Sequence, residues 1–139
     1  MARFAATTSV SAEQTRTEIE RTLSRYGATS FAFYSSHGRA MIAFEAHNRR
    51  ILFELPLPND KNENKRAQAI RQRWRALLLV IKAKLEAVES KITTFEDEFM
   101  AHIVMPDGQT VASHIRSRIS KAYETGTMPA LLPAPGDSR

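Results

Sequence analysis

Residues 29–57, "TSFAFYSSHGRAMIAFEAHNRRILFELPL", decide the fold. Aromatic and branched residues alternate here with small or polar ones, the twofold period of a strand rather than the 3.6-residue period of a helix. "SHGR" and "HNRR" interrupt the pattern and are short enough for tight hairpin turns, so three antiparallel strands are expected. Phe31 and Phe33, Ile42 and Phe44, then Ile51, Phe53 and Leu55 fall on one side, which predicts an apolar sheet face that must be covered. Pro56 and Pro58 end the third strand, because proline cannot donate to a ladder.

The covering elements are helical. Upstream, "SAEQTRTEIERTLSRYGA" (11–28) starts with a capping-box pattern, Ser11 as N-cap and Gln14 three residues on. It continues with Ile19, Leu23 and Tyr26 at helical spacing and reaches Gly27, a left-handed C-terminal stop. Residues 1–9 read as a flexible N-terminal tail. Downstream, "PNDKNENKR" is a polar loop in which Asn62 or Asn64 can cap the next helix. From there to about Ser90 neither glycine nor proline intervenes, which predicts roughly 26 helical residues, about 40 Å of helix. Ile70, Trp74, Leu77, Ile81, Leu85 and Val88 form its buried stripe. "TTFEDEF" (93–99) predicts a further helix from a Thr93/Glu96 box with Phe95 and Phe99 inward, and "MPDG" (105–108) a turn. The last helix, from about Thr110 to Glu124, carries Val111, Ile115, Ile119 and Tyr123 on one side and stops at Gly126. Residues 127–139 hold three prolines and read as an extended C-terminal tail. The expected architecture is one α+β domain over 10–126: an N-terminal helix, a three-stranded antiparallel sheet, a long helix, then two shorter helices, αβββααα.

A chain of 139 residues fits a single core, and 42% hydrophobic with 25% charged residues is the composition of a folding domain. The absence of cysteine excludes disulfides and thiolate-ligated metals. "MARFAATTSV" lacks the apolar run of a secretory signal, and no window approaches the roughly 18–20 apolar residues of a membrane span. A soluble, intracellular protein without membrane association is expected.

The net charge of +5 favours an acidic partner. Its distribution is uneven: residues 61–91 hold nine cationic side chains against Glu63, Glu86 and Glu89, a net of +6. At 100° per residue, Arg66, Arg73, Lys84 and Lys91 fall on one flank of the apolar stripe and Arg71, Arg75 and Lys82 on the other. Two cationic rails are suited to phosphates, since each cation that displaces a condensed counterion adds salt-dependent affinity. With Lys65 beside them, Arg49 and Arg50 on the third strand and Arg116 and Arg118 on the last helix, they form the candidate nucleic-acid-binding set. The same rails can instead be long side chains that keep a packed helix soluble. Trp74, within the apolar stripe, reads as core rather than a base-stacking platform.

No catalytic constellation is found. His37, His47, His102 and His114 are scattered, Glu98 and His102 make a two-ligand fragment at most, and the five glycines stand singly without a phosphate loop. Ser35, Ser36 and His37 read as turn chemistry. The expectation is a non-enzyme with no cofactor and no metal. Glu96, Asp97 and Glu98 are expected to compensate a helix dipole or to pair with a basic neighbour across a subunit contact.

The combination of "LSRYGATSFAF", "RQRWRALLLVIKAKLEAVE", "FEDEFMAHIVMPDGQTV" and "MPALLPA" resembles a family of small uncharacterised proteins encoded in bacteriophages and prophages. The resemblance covers nearly the whole chain, most closely 16–34 and 70–115, and brings no catalytic residues. The family's loop before the long helix is often longer than "PNDKNENK". It implies a viral protein working in the cytoplasm of a bacterial host. In that setting two functions are expected in competition. One is a nucleic-acid-binding accessory protein that binds or anneals single-stranded DNA; its order of sheet then long helix is similar to that of single-strand annealing proteins. The alternative is a non-enzymatic, anti-CRISPR-like inhibitor of a bacterial defence system that binds an acidic or nucleic-acid-binding protein complex of the host. A virion or assembly component is a third option. Apolar Leu78, Leu79 and Val80, in excess of one narrow seam, add the expectation of a homo-oligomer.

Overall fold

The computed structural model describes residues 2–132, with side chains from residue 12 onward. The elements run α1 (Ala2–Arg25), β1 (Thr29–Ser36), β2 (Arg39–Ala46), β3 (Arg49–Pro56), α2 (Glu63–Glu89), α3 (Phe95–Phe99), a 3-10 turn (Met100–His102) and α4 (Val111–Thr125). This is the α+β order expected, with a three-stranded antiparallel sheet in the order β1-β2-β3.

The hairpins are tight for reasons visible in the backbone. His47 and Asn48 both have positive φ, 52° and 60°, as a two-residue turn that matches strand twist requires, and asparagine tolerates it. Phe33, Ile42 and Phe53 lie in register on the inner face, and Tyr34, Met41 and Glu54 on the outer. On the inner face Ala40, Ile42, Phe44, Ile51, Phe53 and Leu55 are buried under α1, α2 and α3. β1 departs from the expected full cover: an extra residue between Thr29 and Ala32, with Ser30 at φ 58°, makes a bulge, and Phe33 stays 37% exposed. The far side of β3 is extended by Ile103, bridged to Ile51, and by Val104, whose N–H donates to the Arg50 carbonyl at 2.8 Å.

Helix ends follow their signals with two corrections. α1 stops in a Schellman motif: Gly27 at φ 91° donates to the Ser24 carbonyl, and Ala28 to that of Leu23. Its start, however, is Ala2 rather than Ser11, so residues 2–9 are helical backbone where a tail was expected. No glycine or proline occurs between 2 and 25 to break the helix, and a capping-box pattern inside such a run has no free N–H groups to cap. Asn62 caps α2, accepting from the Lys65 N–H at 3.0 Å, while Asn64 lies within the helix. α2 ends in a second Schellman motif with Lys91 at φ 63° as the left-handed residue. The Thr93 N–H turns back to the Ala87 carbonyl, so the cap of α3 moves one residue on, to Thr94 accepting from Asp97. Thr110 and Gly126 bound α4 as expected. The expected tail falls partly within the described residues: 127–132 follow α4, tied by the Arg118 guanidinium to the Ala130 carbonyl at 2.8 Å, and 133–139 lie outside them.

Phe99, fully buried, is the hub of the core, edge-on to Phe44 and Phe53 and stacked on Phe95 at 4.5 Å. Trp74 is core as expected, 6.3 Å from the Phe33 ring, with the Arg16 guanidinium 5.4 Å above it.

Candidate functional site

The cations of α2 take the flanks that helical geometry assigns them, but each flank meets its own acceptors. On the side toward the end of β3 and α3, Arg66 donates to the Asp60 carbonyl at 3.0 Å and Arg73 to the Pro56 carbonyl at 2.7 Å. Lys84, largely covered, bonds the Glu98 carbonyl at 3.0 Å and its carboxylate at 3.4 Å. On the side toward α1, Lys82 pairs with Glu18 at 2.9 Å. That ammonium, with Arg21 and Arg25 nearby, holds the Glu18 carboxyl below its ordinary range. Arg49 is held by Glu96 at 2.8 Å. Arg118 on α4 is turned onto the Ala130 carbonyl, and Arg116 is exposed on the same helix. Lys91 has become the left-handed residue behind α2. Six of the twelve candidate cations are therefore held by acceptors within the chain.

The other six, Arg50, Lys65, Arg71, Arg75, Lys91 and Arg116, have neither an ion pair nor a side-chain hydrogen bond among the described residues. Arg71 also has a buried Nε without a hydrogen-bond partner. Arg21 and Arg25 of α1 stand near the Glu18–Lys82 pair. Sequence reasoning passed over these two, although their four-residue spacing put them on one face of a recognised helix.

The histidines stand in separate places. His102 stacks on Phe53 at 4.1 Å, and its imidazole is held below its usual pKa by burial first and by the Lys84 charge second, against a Leu52 carbonyl that favours protonation. His114 Nε2 lies 2.8 Å from Asp107. The Asp107 carboxyl is held low by the Gln109 N–H and then by His114. His47 stacks on Phe95 at the hairpin. Among the described residues no three His, Asp or Glu side chains gather as metal ligands, and no helix is long and apolar enough to cross a membrane.

The surface feature that stands out is apolar. α4 is capped at both ends, yet none of its residues is buried. Ile119 is 43% and Tyr123 88% exposed, and Met128, Leu131 and Leu132 lie exposed in the segment that follows. Sequence periodicity marked the stripe; Val111 at its start packs against the core and Ile115 is half-buried, while Ile119 and Tyr123 stay open. No family model, curated protein or solved structure matches the chain.

Proposed function

We propose that the protein is a non-enzymatic binding module that docks α4 and residues 127–132 into a partner protein. The observation that carries this reading is a complete 15-residue helix whose Ile115, Ile119 and Tyr123 recur at four-residue intervals with no residue buried. Val111 anchors the start of the helix on the core, and the exposed Ile119 and Tyr123 at its other end are suited to a groove on another molecule. Exposed Arg116 and Lys121 flank the stripe with one acid, Glu124, in that half of the helix. The complementary partner has an apolar groove rimmed by carboxylates. In the phage setting that the sequence resemblance implies, this is a host complex, and the protein acts as an inhibitor of a bacterial defence system.

The test is co-purification from bacterial cells with nuclease treatment, comparing wild type with I119D/Y123D. The expected result is a protein partner retained through nuclease by the wild type and lost by the variant. Equal recovery from both, or recovery of nothing, refutes the reading.

A second reading, single-stranded DNA binding, rests on a different observation. Lys65, Arg71 and Arg75 of α2 and Arg21 and Arg25 of α1 carry no ion pair among the described residues. It predicts salt-sensitive binding of a labelled 40-mer that weakens in R21S/R25S. Micromolar protein giving no shift at low salt ends it.

A further inference from the structure

α2 has a second face. Opposite the buried Trp74, Leu77, Leu78, Ile81 and Leu85, the exposed side carries Gln72, Ala76, Leu79, Val80 and Ala83, with Leu79 61% and Val80 45% exposed. Leu78, expected with its neighbours to face another subunit, is buried in the chain's own core. At 100° per residue Gln72, Ala76 and Ala83 lie within about 60° of Leu79. The flank beside them, the one nearest α1 through the Lys82–Glu18 bond, carries Arg71, Arg75, Glu86 and Glu89.

These four charges have no ion pair among the described residues. They cannot pair with one another within the helix: Arg75 and Glu86 stand about 16 Å apart along its axis, and Arg71 and Glu89 about 27 Å. Both pairs nevertheless share a helical angle to within about 20° and share one midpoint along the axis, at the level of residue 80 but on the Leu79 side of the helix. Two like-flank charge pairs of opposite sign with a common centre are what a two-fold antiparallel contact requires, because such an axis sets each residue against its mirror-numbered counterpart on the same flank.

We infer that a second copy of this chain packs on the exposed face of α2, the two helices antiparallel and the two-fold axis passing beside Leu79. Arg75 meets Glu86 of the second copy, Arg71 meets its Glu89, and each contact occurs twice. Leu79 loses its exposure at the centre, and Ala76 and Ala83 let the helices approach closely. This contact is independent of α4, so its failure leaves the docking reading untouched.

The expected result in light scattering at tens of micromolar protein is twice the chain mass. Arg75→Glu alone, or Glu86→Arg alone, shifts it to the chain mass, and R75E/E86R returns it to the dimer. Because the chain has no cysteine, orientation is read by oxidising Gln72→Cys and Ser90→Cys variants separately and mixed. The antiparallel register puts residue 72 beside residue 90 of the second copy but keeps each residue about 25 Å or more from its own counterpart. Disulfide dimers therefore form only in the mixture. A monomeric wild type, single reversals that remain dimeric, a double variant that stays monomeric, or cross-linking of either variant alone overturns the inference.

Discussion

Phe99→Ala tests whether α3, only five residues long, is held by the core rather than by its own backbone. Phe99 is fully buried and meets three aromatic rings, Phe44 at 6.4 Å, Phe53 at 6.2 Å and Phe95 at 4.5 Å, with Lys84 Nζ 5.7 Å from its ring. Truncating a buried phenylalanine removes its transfer free energy and leaves a cavity, together about 3–5 kcal/mol. Three ring contacts put this site toward the upper end, since aromatic pairs contribute beyond their buried area. Against a total stability of about 5–15 kcal/mol the loss is large. Urea unfolding followed by the fluorescence of Trp74, the single tryptophan and itself buried, reads it out. With a denaturant slope of about 2 kcal/mol per molar, the midpoint falls by roughly 2 M. Phe99→Leu fills most of the space and loses less than about 1.5 kcal/mol. Phe33→Ala, at the half-open edge of β1, loses less than Phe99→Ala because much of that ring already faces water. A Phe99→Ala loss below about 1 kcal/mol, or equal to that of Phe33→Ala, refutes the assignment of Phe99 as the hub.

Lys91 adopts φ 63° behind α2, a conformation that disfavours a Cβ by roughly 1–2 kcal/mol. Lys91→Gly is therefore more stable than Lys91→Ala by about 1 kcal/mol in the same urea assay; equal midpoints refute the Schellman assignment. His102 is held below the ordinary imidazole pKa in the folded chain, so between that lowered value and about 6.5 the unfolded chain binds more protons. Its contribution is present in full above about pH 6.5 and declines as pH falls through that window. Urea midpoints measured from pH 7.5 to 5.5 should fall less steeply for His102→Gln than for wild type; parallel profiles refute this. Tyr123, 88% exposed on α4, should tolerate aspartate within about 0.5 kcal/mol of stability, which separates its docking role from folding; a larger loss refutes that separation.

The sheet was legible because its information is local. Strand alternation, the His47–Asn48 turn and the closing prolines act over a few residues, and register follows from the turn. Caps are local too, and Asn62, Gly27, Thr110 and Gly126 were readable one by one. The start of α1 was misread because Ser11 and Gln14 have the residue types of a cap. What makes a cap is unsatisfied N–H groups, and those depend on residues 2–10 continuing the helix.

The charged surface was legible only in part, for the opposite reason. A helical wheel fixes the direction of a side chain, and the partners of Arg66, Arg73 and Lys84 on one flank and of Lys82 on the other follow it, while Lys91 lies beyond the helix. It says nothing of what stands in that direction. Arg49 finds Glu96 47 positions away, and Lys82 finds Glu18 64 positions away. Carbonyls at Pro56 and Asp60 were invisible as acceptors because every residue has one. A surplus of cations in one segment therefore measures demand for acceptors, and the fold decides which the chain itself meets. What the fold leaves unmet on the flank of α2 nearest α1 is not a rail of one sign but Arg71 and Arg75 set against Glu86 and Glu89 about a common centre. A polyanion is complementary to half of that pattern; an antiparallel copy is complementary to all of it.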